Sequence, residues 1–332
     1  MIAQKKKNVK EEREMTIICH DNAGYSDSDI RKIVKKIRMI IQKEHDSLRK
    51  KPGICSKLFN IESSVNFEKF IIGERLDDDA SDNANKFIEH IPYMKEFCIP
   101  KNMQNTSDYS VCADAQRRAE NFTRAYHKTV EHLLEYALSH GTEEFGRFNG
   151  ATLDLTTPDG LPLFSELHKY GADGETQSNL FYVPITETLS CETFSETLSD
   201  LAKKLSEMRD ESGERLGYRA DTIILPCNRI EMEKAVKEVV KSECDKGYYW
   251  DLVILPGWYS DDDRVIIMSS DANAELSGNM FFNRVPLVVS HWEDKHTGNY
   301  VWNGRCRFGV GFGSYKHVLM AVDSSAKEDK NK

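Results

Sequence analysis

Residues 300 to 312 read YVWNGRCRFGVGF. The even positions are Tyr300, Trp302, Gly304, Cys306, Phe308, Val310 and Phe312, while the odd positions include Asn303, Arg305, Arg307, Gly309 and Gly311. Side chains along a strand point alternately to the two faces of a sheet, so this near-strict period of two predicts a strand with one apolar face. At ~3.3 Å per residue it spans about 43 Å, more than twice a common strand. RVPLVVSHW (284–292) is its natural antiparallel partner across the turn EDKHTGN (293–299). The fold starts from a long two-stranded ribbon.

A ribbon of that length needs a cover. Asp114 to His140 reads DAQRRAENFTRAYHKTVEHLLEYALSH, with Ala115, Ala119, Phe122, Tyr126, Val130, Leu133 and Ala137 on one helical stripe and Gly141 as a candidate C-terminal stop. A helix of this span is roughly 40 Å long and is predicted to lie along the ribbon. Between about 222 and 256 the pattern becomes strand, helix, strand. TIILP (222–226) and DLVILP (251–256) are continuous apolar runs, as in a β-α-β unit covered on both faces, and Asn228 with Glu231 is the expected cap of the helix Asn228 to Lys241. A further helix carries Phe194, Leu198, Leu201, Leu205 and Met208, with Thr193 and Glu196 as a capping box.

Ahead of these elements the chain is polar. Residues 61–108 hold short apolar pieces around ERLDDDASDNAN (74–85), which reads as a projecting excursion. Asp77, Asp78 and Asp79 lack the alternating ligands and central glycine of a calcium loop. Before that, Ser26 or Ser28 is placed to cap a helix with Ile30, Val34, Ile37, Ile41 and Leu48 on one face and Arg31, Lys32, Lys35, Lys36, Arg38 and Lys43 on the others, ending near Pro52. A basic amphipathic helix of this kind invites a membrane-surface, nucleic-acid or partner-protein reading; a partner or subunit contact is favoured, and a solvated helix with one face on its own core is the alternative. Residues 1–51 carry 14 Lys/Arg against 8 Asp/Glu, leaving 31 against 46 for the rest. The chain as a whole, at a net charge of -9, is poorly suited to gripping phosphates, and its basic front is electrostatically a separate object.

The eight cysteines form no C-x-x-C pair and no signal peptide precedes them, so reduced thiols in a cytosol-like compartment are expected. Apolar runs of about five residues fall far short of the roughly 20 that span a bilayer, so no membrane partner is expected. Signals for chemistry are weak. PDGLPLFSELH (158–168) sets Asp159, Ser165 and His168 close together, but a serine nucleophile needs a strained G-x-S-x-G elbow and an oxyanion hole, and neither is there. His291 and His296 with Glu293 and Asp294 sit around a hairpin turn without metal-ligand spacing. GVGFG (309–313) continues a strand and opens no helix, which points to close backbone packing rather than a phosphate cradle. No catalytic, cofactor-binding or metal-ligating residue is assigned and no cofactor is expected. Long arms and projecting loops become ordered by lying on neighbouring subunits, so the surface itself is read as the function.

The motifs DGLPLFSELH, SNL, FSETLSDLAKKLSEMRDESGERL, DTIILPCNRIEMEKAV and YVWNGRCRFGVGFGSYKHV, taken in order over roughly residues 109–322, resemble the major capsid proteins of tailed bacteriophages. The likeness is above all to the Mu-type head-protein family, with its α+β Hong Kong 97 fold. The resemblance implies an N-terminal arm (1–60), an E-loop (61–108), a P domain (109–215 and 284–312) with a spine helix and long ribbon, an A domain (216–283 and 313–325) with an α/β core, and a charged tail (326–332). It implies self-assembly as hexamers and pentamers into an icosahedral head shell, built in the host cytoplasm around packaged double-stranded DNA held without sequence-specific binding. Portal protein, scaffolding protein and maturation protease are the implied partners, with a decoration protein as a further one. With about 60 residues ahead of the E-loop, a separate scaffolding protein is expected. Some members join Lys to Asn between subunits; Lys69, Lys86 and Asn303 are candidates that no motif selects. An encapsulin-like compartment shell is the alternative within the same fold, and a serine hydrolase using Ser165 and His168 is the alternative outside it. Removal of residues 1–51 is expected to leave a foldable subunit while impairing regular assembly.

Overall fold

The computed structural model describes residues 17–19, 28–51, 53–62, 69–71, 85–100, 109–171, 174–185 and 191–326. In chain order, β1 (Ile17–Cys19), α1 (Ser28–Arg49), α2 (Ile54–Leu58), β2 (Asn60–Glu62), β3 (Lys69–Ile71), β4 (Asn85–Phe87) and β5 (Ile91–Ile99) lead to the long helix α3 (Tyr109–Ser139). There follow β6 (Phe145–Phe148), β7 (Ala151–Asp154), β8 (His168–Tyr170), β9 (Glu175–Gln177), β10 (Leu180–Val183) and α4 (Cys191–Ser206). The chain continues through β11 (Thr222–Pro226), α5 (Ile230–Asp245), β12 (Asp251–Leu255), β13 (Arg264–Met268), α6 (Ser270–Glu275), β14 (Asn279–Glu293), β15 (Tyr300–Phe312) and β16 (Val318–Asp323).

The ribbon is present: β14 and β15 pair antiparallel from Asn279 opposite Phe312 to Glu293 opposite Tyr300. All seven even positions of β15 are buried, as the alternation requires. Alternation ends after Phe308 because the other face is covered as well. A Cβ on Gly309 would stand 2.6 Å from the Glu89 carbonyl, and one on Gly311 would collide with Ile88, so these glycines admit the chain before β5. The register shifts twice between Asn283 and Val288, around Pro286, which has no N–H to give to the ladder. β5, read in the sequence as part of a projecting loop, is instead a third long strand, antiparallel to β15 along all nine of its residues. Residues 72–84, the centre of the expected E-loop with Asp77, Asp78 and Asp79, lie outside the described residues.

Helix α3 has 31 residues and starts five residues earlier than its periodicity indicated. Its whole expected stripe is buried, with Phe122 against Phe97 and Tyr126 against Phe308. Gly304 of the ribbon admits the Phe122 ring, which a Cβ there would strike. Gly141 is needed for a reason other than a left-handed cap: a Cβ there would lie 2.9 Å from the Phe164 ring, and its carbonyl accepts the Phe164 N–H at 2.8 Å. Helix α1 lays Val34, Ile37, Ile41 and His45 into the same core, so the arm's helix is part of the body.

The second sheet has the order β10-β16-β13-β11-β12, and its β11 and β12 form the expected parallel pair. One face packs on α4 and α5 through Phe194, Leu198, Leu201, Leu205, Val236 and Val239. The opposite face, including Ile224, Leu255, Ile266 and Met320, joins the core of α3 and the ribbon. Strand β10 and helix α4, grouped with the long helix in the sequence reading, therefore pack with this second sheet. Two caps differ from expectation. Helix α5 begins at Ile230 without a side-chain cap, because Asn228 instead accepts the Ser260 N–H and donates to the Ser260 carbonyl. Helix α4 begins at Cys191, ahead of Thr193, whose side chain lies outside the described residues.

Candidate functional site

Asp159 and His168 do meet. Pro158, Asp159 and Gly160 form the expected turn, with Gly160 at φ +81°, and Asp159 reaches His168 Nδ1 at 2.7 Å. Ser165 is not part of the pair. His168 is fully buried, its Nε2 faces the Leu163 carbonyl at 3.3 Å, and its ring stacks on Tyr315 with centroids 3.7 Å apart. The Ser165 hydroxyl accepts the Leu167 N–H at 3.2 Å, while its backbone N–H goes to Asn179 Oδ1. With both ring nitrogens engaged away from the hydroxyl, no base is available to Ser165, and the hydrolase reading fails on geometry. Burial pushes the Asp159 carboxyl up, but hydrogen bonds from His168 and Thr157 outweigh it and hold the group below the ordinary carboxylate range.

Asn179, from the short motif SNL, is the centre of this region. Its fully buried amide donates to the carbonyls of Leu163 at 2.7 Å and of Tyr315 and Val318 at 3.3 Å. Its backbone donates to Ser165 O and accepts from Met320 N. One side chain thus fastens the 158–168 strap to the approach of β16. A second polar knot joins the arm to both sheets: Asn279 and Asn273 donate to the Leu58 carbonyl, Asn60 donates to the Asn273 carbonyl, and His317 Nε2 lies 2.9 Å from Asn279 Oδ1. Neither asparagine knot carried a periodic signal that sequence reasoning could use.

The other candidates are dispersed. His291 is buried against Trp302, whereas His296 sits in the exposed turn that Asp294 organises through Thr297 and the His296 N–H. Among the described residues no three His, Cys, Asp or Glu are grouped as a metal site. Lys86 is buried and donates to Asp154 Oδ1 at 3.2 Å and to the Thr156 carbonyl, and Asn303 donates to Glu96 at 2.7 Å, so both serve contacts within the chain. The side chain of Lys69 lies outside the described residues. One cavity, lined by Phe164, Leu180, Tyr182 and Arg264, measures about 120 Å³, below the roughly 300–1,000 Å³ of small-molecule sites, and a groove of about 540 Å³ along α1 between Met39 and Lys50 lies open to solvent. No helix among the described residues is long and apolar enough to cross a membrane.

What α3 does carry is a row of titratable side chains at intervals of four, each tied to a different element. His127 Nε2 lies 3.0 Å from His45 Nδ1 on α1. Glu131 accepts the Ile54 N–H at 2.8 Å, capping α2, which has no side-chain cap of its own; a Cβ on Gly53 would occupy that carboxylate's place. Glu135 accepts the N–H of Gly257, in the loop after β12. Burial, together with His45, pushes His127 down to about 4. Burial, aided by the charge of Glu131, pushes Glu135 up to about 7, and burial holds His317 down at about 3.

The signs give a pH profile. His127 and His317 bind protons more readily unfolded, near 6.5, than folded, so their contribution is complete above about pH 6.5 and is lost as pH falls towards 4 and 3. Glu135 binds its proton more readily folded, so its contribution is complete below about pH 4.5 and is lost as pH rises through 7. With two histidines set against Glu135, thermal unfolding between pH 3 and 9 is expected to show greatest stability near pH 6.5. Glu135→Gln should shrink the decline on the alkaline side, to which Glu131, whose carboxyl burial also pushes up, adds its own share, and an unchanged decline in that variant would reject the assignment.

No family model and no curated protein matches the sequence. Among solved structures the chain is similar to a phage-related protein from Bordetella bronchiseptica RB50, at 10% identity over 86% of this chain and 96% of that one, with a TM-score of 0.50. A virus-like particle from Pyrococcus furiosus is similar at 12% identity, over 86% and 98% of the two chains, with a TM-score of 0.44. The capsid of Myoviridae phage XM1 is similar at 14% identity, over 76% and 81%, with a TM-score of 0.41. At this level of identity the likeness to the phage-related protein is one of fold, a mixed α+β architecture.

Proposed function

We propose that the chain is the major capsid protein of a tailed bacteriophage, a structural subunit that assembles with copies of itself into the icosahedral head. The carrying observation is the architecture: a 31-residue helix packed on a ribbon of 15- and 13-residue strands, joined to a five-stranded α/β sheet. The likeness to a phage-related protein along 86% of the chain supports this reading. So does the geometry at Asp159, Ser165 and His168, whose contacts fasten a turn and its neighbouring strap.

On this reading α3 with β5, β14 and β15 forms the P domain, and β10, α4 and residues 216–278 with β16 form the A domain. The hairpin β3–β4 is the stem of the E-loop. The partners are other copies in hexamers and pentamers, portal and scaffolding proteins, a maturation protease, and DNA packed without sequence specificity; a decoration protein on the outside is a further candidate. The particle is a virion component assembled in the host cytoplasm. Sedimentation of the protein expressed with its neighbouring phage genes tests the proposal. Megadalton particles are expected, and nuclease-protected DNA inside them would separate a phage head from an enzyme-filled compartment. Material that remains a 38.1 kDa monomer under all conditions would oppose it.

A further inference from the structure

The outward face of α1 has no role in the fold. Val34, Ile37, Ile41 and His45 turn to α3, and Glu44 on the same helix pairs with Arg124 of α3 at 2.6 Å. On the other side Lys36, Lys43 and Lys50 recur every seven residues, two helical turns or about 10.5 Å apart, with Lys35 and Lys51 flanking them. All five are exposed, and none has an ion pair among the described residues. Elsewhere many cations are paired, as Lys57 is with Asp251, Lys237 with Glu233 and Lys246 with Glu243. Among the residues of this face whose side chains are described, the one carboxylate, Asp46, is engaged by Gln42 at 3.1 Å.

We infer that this face binds the sugar-phosphate backbone of double-stranded DNA without reading its sequence. The inference rests on the shell reading, in which double-stranded DNA is packaged inside the particle. Charge complementarity argues for a polyanion: five unpaired ammonium groups stand on a chain whose remainder beyond residue 51 is strongly acidic. Lysine is a point charge with no fixed fork, suited to phosphates rather than to base edges. Among the described residues the face offers no aromatic ring for stacking on unpaired bases, which favours a duplex over a single strand. An acidic protein helix would need apolar contact too, and Met39, 63% exposed, is the one large apolar side chain there.

The test uses the full-length chain with a labelled random-sequence 30-base-pair duplex, read by fluorescence anisotropy between 50 and 200 mM salt. Binding by three to four lysines predicts a slope of log K against log salt of about -3, unchanged for a second duplex of different sequence. The triple variant Lys36→Glu, Lys43→Glu and Lys50→Glu, shown by circular dichroism to be folded, should bind at least tenfold more weakly. Equal binding by wild type and variant, or no wild-type binding at 50 mM salt, would overturn the inference. So would capture of poly-glutamate in preference to DNA, which would make the partner an acidic protein. Electron micrographs of the same samples separate the two claims: shells without DNA binding sink this inference alone, and the absence of shells sinks the shell reading.

Discussion

Asn179→Asp is expected to be the most damaging single substitution in the chain. It replaces an amide that donates to the Leu163, Tyr315 and Val318 carbonyls with a carboxylate oxygen that all three repel, at a fully buried position. Even Asn179→Ala, which only deletes the bonds, leaves the Ser165 N–H without its partner and the Leu163 carbonyl with only the longer 3.3 Å contact to His168 Nε2. At ~1–3 kcal/mol for each orphaned buried group, the alanine variant should lose roughly 4 kcal/mol and the aspartate variant more. Ser165→Ala, which removes a hydroxyl turned to its own loop, should cost under about 1 kcal/mol. Urea unfolding of the three variants measures the order. Equal loss in Ser165→Ala and Asn179→Ala would remove Asn179 from the centre of the junction.

Deleting residues 1–51 is the second large effect, and here the structure changes the expectation. An arm separable from the body would leave a stable subunit behind. Instead Val34, Ile37 and Ile41 are within 8% exposure of full burial against the core, and His45 completes their row. At ~1.5–3 kcal/mol for each buried aliphatic side chain, removal of α1 should cost about 5 kcal/mol or more and uncover an apolar face of α3. The truncated chain is expected to aggregate before assembly can be examined. Near-UV circular dichroism and a melting temperature like those of the intact chain would contradict this. The charge-reversal of Lys36, Lys43 and Lys50 touches only the outward face and leaves the buried row intact.

These two cases mark what the sequence disclosed. Period two over Tyr300–Phe312 and the helical stripe of Asp114–His140 gave the ribbon and its covering helix, because burial of one face writes a repeat into the chain. The continuous runs TIILP and DLVIL likewise announced a parallel pair covered on both sides. Polar groups that act by convergence leave no such repeat. Asn179 meets Leu163 and Val318 across intervals of 16 and 139 residues, and His45 meets His127 across 82. His45 continues the Val34–Ile37–Ile41 stripe at helical spacing, which a reading confined to apolar residues passes over. β5 was hidden for another reason: IPYMKEFCI exposes most of its middle, as an edge strand does, and so resembles a loop. The apparent triad of Asp159, Ser165 and His168 was half correct, since the Asp–His contact exists and serves to hold a turn.

The most direct test of the central claim is electron microscopy of the full-length protein, expressed alone and together with a candidate scaffolding protein. Closed icosahedral shells are predicted, with hexamers and pentamers whose subunit density follows α3 along the β14–β15 ribbon. A uniform population of single 38.1 kDa subunits in every condition would contradict it.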